Sequence, residues 1–449
     1  MKQEIADKVK TAGVVGAGGA GFPANIKLNA NVKRIIGNGA SCEPLLMSDP
    51  YLMEHQTDLV LRGMHLAMQS CGADRGTICL KGKHSAAFQV LAEKAGVGAF
   101  ADIDVFKLGD FYPAGDEQVL VHEVTGQVVP EGGIPLQVGA VVSNVETLIN
   151  IALAVDDGVP VTERFLTVTG AVARPLIMKV PIGCSTKELI DLAGGSTISN
   201  FKVVLGGPMM GKVTSDLSTP ITKTCSGIIV LPTDHNVVSG KTQDPEKVKR
   251  IARTVCCQCS RCTDLCPRYL LGHSLEPHKI MRQLGSAVPS EGIMTNALIC
   301  SECGICEKYA CPMMISPREV NAQIKQELFE RRIKRENIEK DYKPSAFQGL
   351  RKIPTTRLME RLKIKQYDCY PEFYEGEISL TQVVIPLKQH LGAASLAIVK
   401  VGDRVKKGDL IGDVPEGALS AKVHASIDGV VTALGEAVTI MSSEKNLGV

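Results

Sequence analysis

Apolar positions in the first part of the chain switch between two rhythms. Ile5 and Val9 lie four apart in QEIADKVKTA and share one helical face, and residues 52–71 repeat apolar side chains at three- and four-residue intervals, predicting an amphipathic helix. Short apolar runs bounded by polar turns predict strands: VKRIIGN at 32–38, GTICLKG at 76–82 and DIDVFKL at 102–108. Residues 85–95 again read as a helix. Together these elements predict an α/β layer, in which ligand contacts gather at strand ends and loops. The polar turns NGASCEP from Asn38, YPAGDE from Tyr112 and SNVET from Ser143 fall at such places.

Further on the rhythm changes three times. RFLTVTGAV and FKVVLGGPMMG flank a helix-like CSTKELIDLAG, and two strand pairs around one helix predict a small β-grasp module. From Pro245 the pattern turns helical and ends in the charged KQELFERRIKRENIEKDYK, which reads as a solvated helix leading into a linker. The remainder alternates short strands with Gly-Asp turns, a compact all-β module. The chain thus divides into an α/β domain (1–158), a β-grasp domain (159–240), a cysteine-rich helical domain (241–330), a linker (331–378) and an all-β domain (379–449). Its fold class is α+β multidomain.

Length and charge exclude several functions. At 449 residues, 44% hydrophobic and with a net charge of +2, the chain has material for about three domains and no electrostatic signature that favours nucleic acid. No stretch approaches the ~20 uninterrupted apolar residues of a membrane span, and MKQEIADKVKTAG lacks the apolar core of a signal peptide. A soluble, intracellular protein is expected. In a reducing compartment its fifteen cysteines argue against disulfides, and nine of them crowd between Cys256 and Cys311, which points to metal.

Spacing selects the metal. Cys256, Cys259, Cys262 and Cys266, followed by Pro267, form C-x2-C-x2-C-x3-C-P, a bacterial iron–sulfur run. Cys300, Cys303, Cys306 and Cys311 before Pro312 repeat it with one extra residue. A curled loop presents three thiolates to three corners of a cubane but cannot also wrap to the fourth, so the proline-flanked cysteine is expected to serve the other cluster. Crossed ligation follows: Cys256, Cys259 and Cys262 with Cys311, and Cys300, Cys303 and Cys306 with Cys266. Structural zinc, the alternative, favours paired C-x2-C knuckles on a longer loop. Cys257 is then surplus, a packed or neighbouring thiol. Cys42, Cys71, Cys79, Cys184, Cys225 and Cys369 read mostly as small buried hydrophobes.

Two clusters need a source of electrons. In GVVGAGGAGFP, Gly16, Gly18 and Gly21 satisfy GxGxxG, but the preceding segment is helical and GFPAN opens a helix poorly, so a Rossmann fingerprint is disfavoured. The glycines still offer bare backbone amides that can approach a phosphate or a flavin ring.

GVVGAGGAGFPANIKL, NGASCEP, YPAGDEQ, SNVETL, GGPMMG and the two cysteine runs resemble, in order, the C subunit of the Rnf electron-transport complex and, more distantly, the NADH-oxidising flavoprotein subunit of respiratory complex I. That resemblance implies an FMN site in the glycine loop, with NADH admitted over the flavin. Gly16, Gly18, Gly19 and Gly21 would line the FMN and Lys27 would reach its phosphate. Asn38, Glu43, Asp116, Glu117 and Asn144 would contact flavin or nicotinamide. The chain departs from complex I at Ala17, where an arginine stands there, and from both relatives at Ser41, where they carry an acid. Read singly, these Asn, Asp and Gly residues also suit ordinary turns.

The C-terminal module, through VKVGDRVKKGDLIGDV and VHASIDGVV, resembles a barrel-sandwich hybrid of the biotinyl/lipoyl type. Its hairpin tip is PEGALS, with Lys422 off the tip, so no carrier lysine is expected. In the Rnf relative the equivalent module precedes the flavin domain. The permuted order, without a long alanine- and lysine-rich tail, resembles the family of soluble cobalamin reductases of propanediol-utilisation microcompartments. The resemblance implies FMN, two 4Fe-4S clusters, NADH as electron donor and cobalamin as substrate. It also implies a cobalamin adenosyltransferase and microcompartment shell proteins as partners, no transmembrane segment, and a cytoplasmic place within a bacterial microcompartment. No DxHxxG corrinoid signature occurs, so cobalamin is expected to be met transiently. An Rnf-like membrane relay and a non-enzymatic assembly module stay open as alternatives.

Overall fold

The four strands of the first domain form a parallel sheet in the order Ile103–Leu108, Arg75–Lys81, Arg34–Gly39 and Ala140–Asn144. The structure is a computed structural model that describes residues 2–335 and 341–443. Near-continuous apolar runs suit strands covered on both faces, and Ile35, Ile36, Ile78 and Leu80 are fully buried. The helix expected over 52–71 is two helices, Ser48–His55 and Thr57–Cys71. They part at Gln56, where the Thr57 hydroxyl bonds back to the Met53 carbonyl at 2.6 Å and competes with a continuous helix. The segment before the glycine loop is the helix Lys2–Thr11, as its periodicity predicts.

A six-stranded mixed sheet follows, in the order Glu372–Phe373, Leu176–Pro181, Glu163–Gly170, Gly227–Pro232, Phe201–Leu205 and Lys212–Thr214. The helix Thr186–Leu192 belongs to it and opens on a reciprocal Ser185–Glu188 cap. In the cysteine-rich domain short helices surround a core that includes Val248, Ala252, Ile280 and Met281. Of the charged run expected as a solvated helix, residues 325–330 form the end of the helix Pro317–Glu330, which buries Val320, Asn321, Ile324 and Leu328 against that core while Gln326, Glu327, Phe329 and Glu330 stay exposed. Residues 336–340 of the same charged run lie outside the described residues.

The stretch expected as a linker is a strap. Ile353–Pro354 pairs with Phe111–Tyr112, Thr355–Leu362 buries Leu358, Met359 and Leu362, and Glu372–Phe373 adds the edge strand to the β-grasp sheet. Phe373 stacks on Tyr51 at 4.7 Å, tying that strand to the first domain. Apolar residues at helical spacing inside the charged TTRLMERL supply the docking face.

The last domain is two small antiparallel sheets, Gln382–Pro386, Ala437–Ser442, Gly429–Leu434 and Arg404–Val405 against Leu396–Ala397, Leu410–Asp413 and Val423–His424. It docks on the first and the β-grasp domains: the Leu391 amide donates to the Gly21 carbonyl at 3.1 Å and the Val384 amide to the Gly183 carbonyl at 2.9 Å. Lys422 pairs with Asp413 at 3.3 Å. Among the described residues no helix is long and apolar enough to cross a membrane.

Candidate functional site

The glycine loop is pinched at its base by a bridge between Val15 and Pro23 and by the Gly16 amide donating to the Phe22 carbonyl at 2.9 Å. It faces the ends of the strands Arg34–Gly39 and Ala140–Asn144, and an open cleft lies between. Gly16, Gly18, Gly21, Lys27, Asn38, Glu117 and Asn144 all line this cleft. Gly19 does not; it sits on the exposed crest at φ +121°. A Cβ on Gly18 would fall 3.5 Å from that of Asn144, so a larger side chain there would fill the cleft.

The polar groups are arranged by their neighbours. Lys27 donates to Glu117 at 2.7 Å and to the Val142 carbonyl at 2.9 Å, placing a cation and a carboxylate together in the cleft. Asn38 donates to the Gly115 carbonyl at 2.9 Å. Asn144 caps the helix Val145–Ala152 through the Glu146 amide at 2.9 Å and donates to Asp49 at 3.0 Å. Burial, with Glu146 nearby, pushes the Asp49 carboxyl up to about 7, although Arg164 opposes the shift.

Several residues that no motif singled out hold the loop. The Ala17 amide donates to the Thr147 hydroxyl at 2.9 Å. Arg164, from the β-grasp strand, donates to the Ala17 carbonyl at 2.9 Å and faces Glu146 at 3.5 Å, both side chains being buried. The loop carbonyl at Ala17 is thus held by a guanidinium brought in from the β-grasp domain. Ser41 spends its hydroxyl on the Leu46 carbonyl at 2.6 Å.

Two residues expected at the flavin or nicotinamide turn elsewhere. Glu43 is not among the cleft's lining; it accepts from the Met209 and Met210 amides at 2.8 and 2.9 Å and pins the GGPMMG turn. Burial raises its carboxyl despite those bonds and the nearby Lys241. Asp116 is likewise absent from the lining: it caps the helix Glu117–Thr125 and forms a two-pronged pair with Arg268 at 2.6 and 2.9 Å. Burial would lift its carboxyl, but Arg268 and the two helix amides outweigh it and leave it below the usual carboxylate range. A single turn therefore has two faces. Gly115 and Glu117 meet the cleft, while Asp116 and Tyr112 meet the cysteine-rich domain, the Tyr112 hydroxyl donating to the Cys303 carbonyl at 2.7 Å.

The cysteines gather in two sets, each around a void. One void is lined by Cys266 with Cys300, Cys303 and Cys306, the other by Cys256, Cys259 and Cys262 with Cys311. This is the crossed grouping expected from the spacing. Four thiols spread around a hollow suit a cubane. Burial pushes Cys262 and Cys266 up to about 12 and raises Cys303 and Cys306 as well, so these four thiols favour the protonated form unless a bound cation holds them as thiolates, as cluster iron would. Cys257, expected as a packed or neighbouring thiol, borders the second void and is exposed, as is Cys259; Cys369, expected to be buried, is exposed too. Cys71, Cys79 and Cys184 are buried as expected.

With this geometry in place, known families account for each domain. Residues 9–153 match the Nuo51 FMN-binding domain, 165–213 the SLBB domain, 255–316 the 4Fe-4S dicluster domain, and 377–449 the RnfC barrel sandwich hybrid domain. The chain is 44% identical to the cobalamin reductase PduS of Salmonella typhimurium, covering 98% of this chain and 96% of that one. It is 43% identical to the cobalamin reductase PduS of Citrobacter freundii, covering 97% and 95%. The C subunit of the Na(+)-translocating ferredoxin:NAD(+) oxidoreductase complex of Acetobacterium woodii is 35% identical over 59% of this chain and 58% of its own length.

Proposed function

We infer, from the premise that this chain belongs to the cobalamin reductase PduS family, that it passes electrons from NADH through FMN and two 4Fe-4S clusters to cobalamin. When bound, the flavin accepts two electrons as hydride and releases them singly, and iron–sulfur centres carry one at a time. Gly16, Gly18 and Gly21 let backbone amides approach the flavin without side chains in the way. Lys27, now paired with Glu117 in the cleft, would hold the FMN phosphate, and Glu117 would then face the nicotinamide. Asn38 and Asn144, at paired positions on neighbouring strand ends, would line the flavin's site. Cys300, Cys303, Cys306 and Cys266 hold one cluster, and Cys256, Cys259, Cys262 and Cys311 the other.

The observation that carries this reading is the two-faced turn from Tyr112 to Glu117, which packs one cysteine set directly behind the cleft. Cobalamin approaches from outside at the second set, where Cys257, Cys259 and Met313 are exposed. An adenosyltransferase partner and a place within a microcompartment fit this role. The test is anaerobic addition of NADH to the purified protein: flavin absorbance bleaches first and iron–sulfur absorbance follows. A protein whose iron–sulfur band stays oxidised while its flavin is reduced would contradict the route.

A further inference from the structure

The charges around the two cysteine voids differ. The void of Cys256, Cys259, Cys262 and Cys311 is lined by no aspartate, glutamate, lysine or arginine among the described residues; His278 is its titratable neighbour. The void of Cys266, Cys300, Cys303 and Cys306 is lined by Arg268, Glu302 and Arg318. Each of these has a partner: Glu302 pairs with Lys325 at 2.6 Å, Arg318 with Glu307 at 3.0 Å, and Arg268 with Asp116. The Glu302–Lys325 pair is about one-third exposed and therefore screened. Arg318 and Glu307 belong to the cysteine-rich domain itself. Among the described residues only the Asp116–Arg268 ion pair, with both side chains about nine-tenths buried, joins the lining of a cysteine void to another domain.

Both ends of that pair are fixed. Asp116 is held by the Gln118 and Val119 amides at 3.1 and 3.2 Å, on the turn whose other face lines the cleft. Arg268 stands two residues beyond Cys266, in the helix Pro267–Leu270. A cluster gains negative charge on reduction, so a nearby buried cation favours its reduced form and a nearby buried anion opposes it. We propose that the Asp116–Arg268 pair sets the reduction potential of the cleft-side cluster alone, Arg268 raising it and Asp116, anchored in the flavin-type domain, holding it down. Both act as positioning residues through fixed charge, and the potential thereby depends on the cysteine-rich domain being docked. This rests on the reading above that both cysteine sets hold clusters.

The test is a potentiometric titration of the whole protein followed by EPR, with the two reduced-cluster signals assigned by their loss in Cys303→Ala and Cys259→Ala. Asp116→Asn keeps the helix cap and leaves the guanidinium unopposed, so the Cys303-dependent signal should shift to higher potential. Arg268→Gln leaves the carboxylate unopposed and should shift the same signal to lower potential. Arg268→Lys and the double variant Asp116→Asn/Arg268→Gln should both return close to the parent, and the Cys259-dependent signal should stay put throughout. Shifts of the same sign, shifts of both signals, or none would overturn the proposal. If Arg268→Gln loses iron, the Asp116→Asn shift and the double variant decide. A parent with fewer than two clusters would fail earlier and separately, removing the two-cluster reading and the proposal with it.

Discussion

Lys27 lies in the cleft already satisfied by Glu117 and the Val142 carbonyl, so a bound phosphate must compete for its ammonium. A charged hydrogen bond is worth about 1.5–3 kcal/mol. Lys27→Met should therefore weaken FMN binding roughly ten- to hundredfold, read by titrating flavin-free protein with FMN; an unchanged Kd would take Lys27 out of the site. Gly18→Val should lose flavin while iron content stays at the parent level, because the new methyls would point toward Asn144. Full flavin content in that variant would move the binding loop elsewhere. Short motifs were enough to bring Gly16, Gly18, Gly21, Lys27, Asn38, Glu117 and Asn144 to one cleft, though not Gly19, which stays on the crest. Arg164 and Thr147 were not legible, since they reach Ala17 from 147 and 130 residues away and no local pattern announces such contacts. For Glu43 and Asp116 the residue type was informative but the direction was not: sequence places a carboxylate on a turn without saying which face it takes.

At the scale of elements, the two cysteine runs are interlocked loops. Each proline-flanked cysteine opens the chain away from its own triplet and toward the other, as Cys266 does at the start of Pro267–Leu270. Cys266→Ala should consequently remove the cluster built on Cys300, Cys303 and Cys306 and spare the one built on Cys256, Cys259 and Cys262. Iron counts with EPR on the single variant check it, and loss of the Cys256 cluster alone would favour two independent sites. Strands were legible because buried parallel strands read as apolar runs. The break at Gln56 and the strap were not. The break depends on one hydroxyl, and the strap's apolar face at Leu358, Met359 and Leu362 is diluted by charge until its partners are known.

At the scale of the molecule, three domains meet at Lys223. Its ammonium group is buried and donates to the Gly13 carbonyl at 2.7 Å and the Lys422 carbonyl at 2.8 Å, while its backbone amide donates to Gln389 at 2.9 Å. Burial pushes its pKa down to about 7, and burial likewise lowers His390 and His424, which face it. Between about pH 7 and its ordinary value near 10.5 the unfolded chain keeps a proton that the folded protein has shed, so this group makes stability rise with pH, by at most about 1.4 kcal/mol per unit. Below pH 7 the folded protein carries the buried charge and its full cost. Lys223→Met should flatten the rise between pH 7 and 9 in denaturant midpoints; an unchanged slope would assign the pH dependence to other groups.

The order of the domains was legible, but their docking was not, because Gly21 against the last domain and Asp116 against the cysteine-rich domain are long-range contacts. The proposed route from cleft to surface rests on that docking. The most direct test of the route compares anaerobic cobalamin reduction by NADH in the parent and in Cys256→Ala and Cys300→Ala, with reduction of a small dye at the flavin as control. The account predicts slowed cobalamin reduction in both variants with dye reduction retained. Variants that reduce cobalamin as fast as the parent would contradict it.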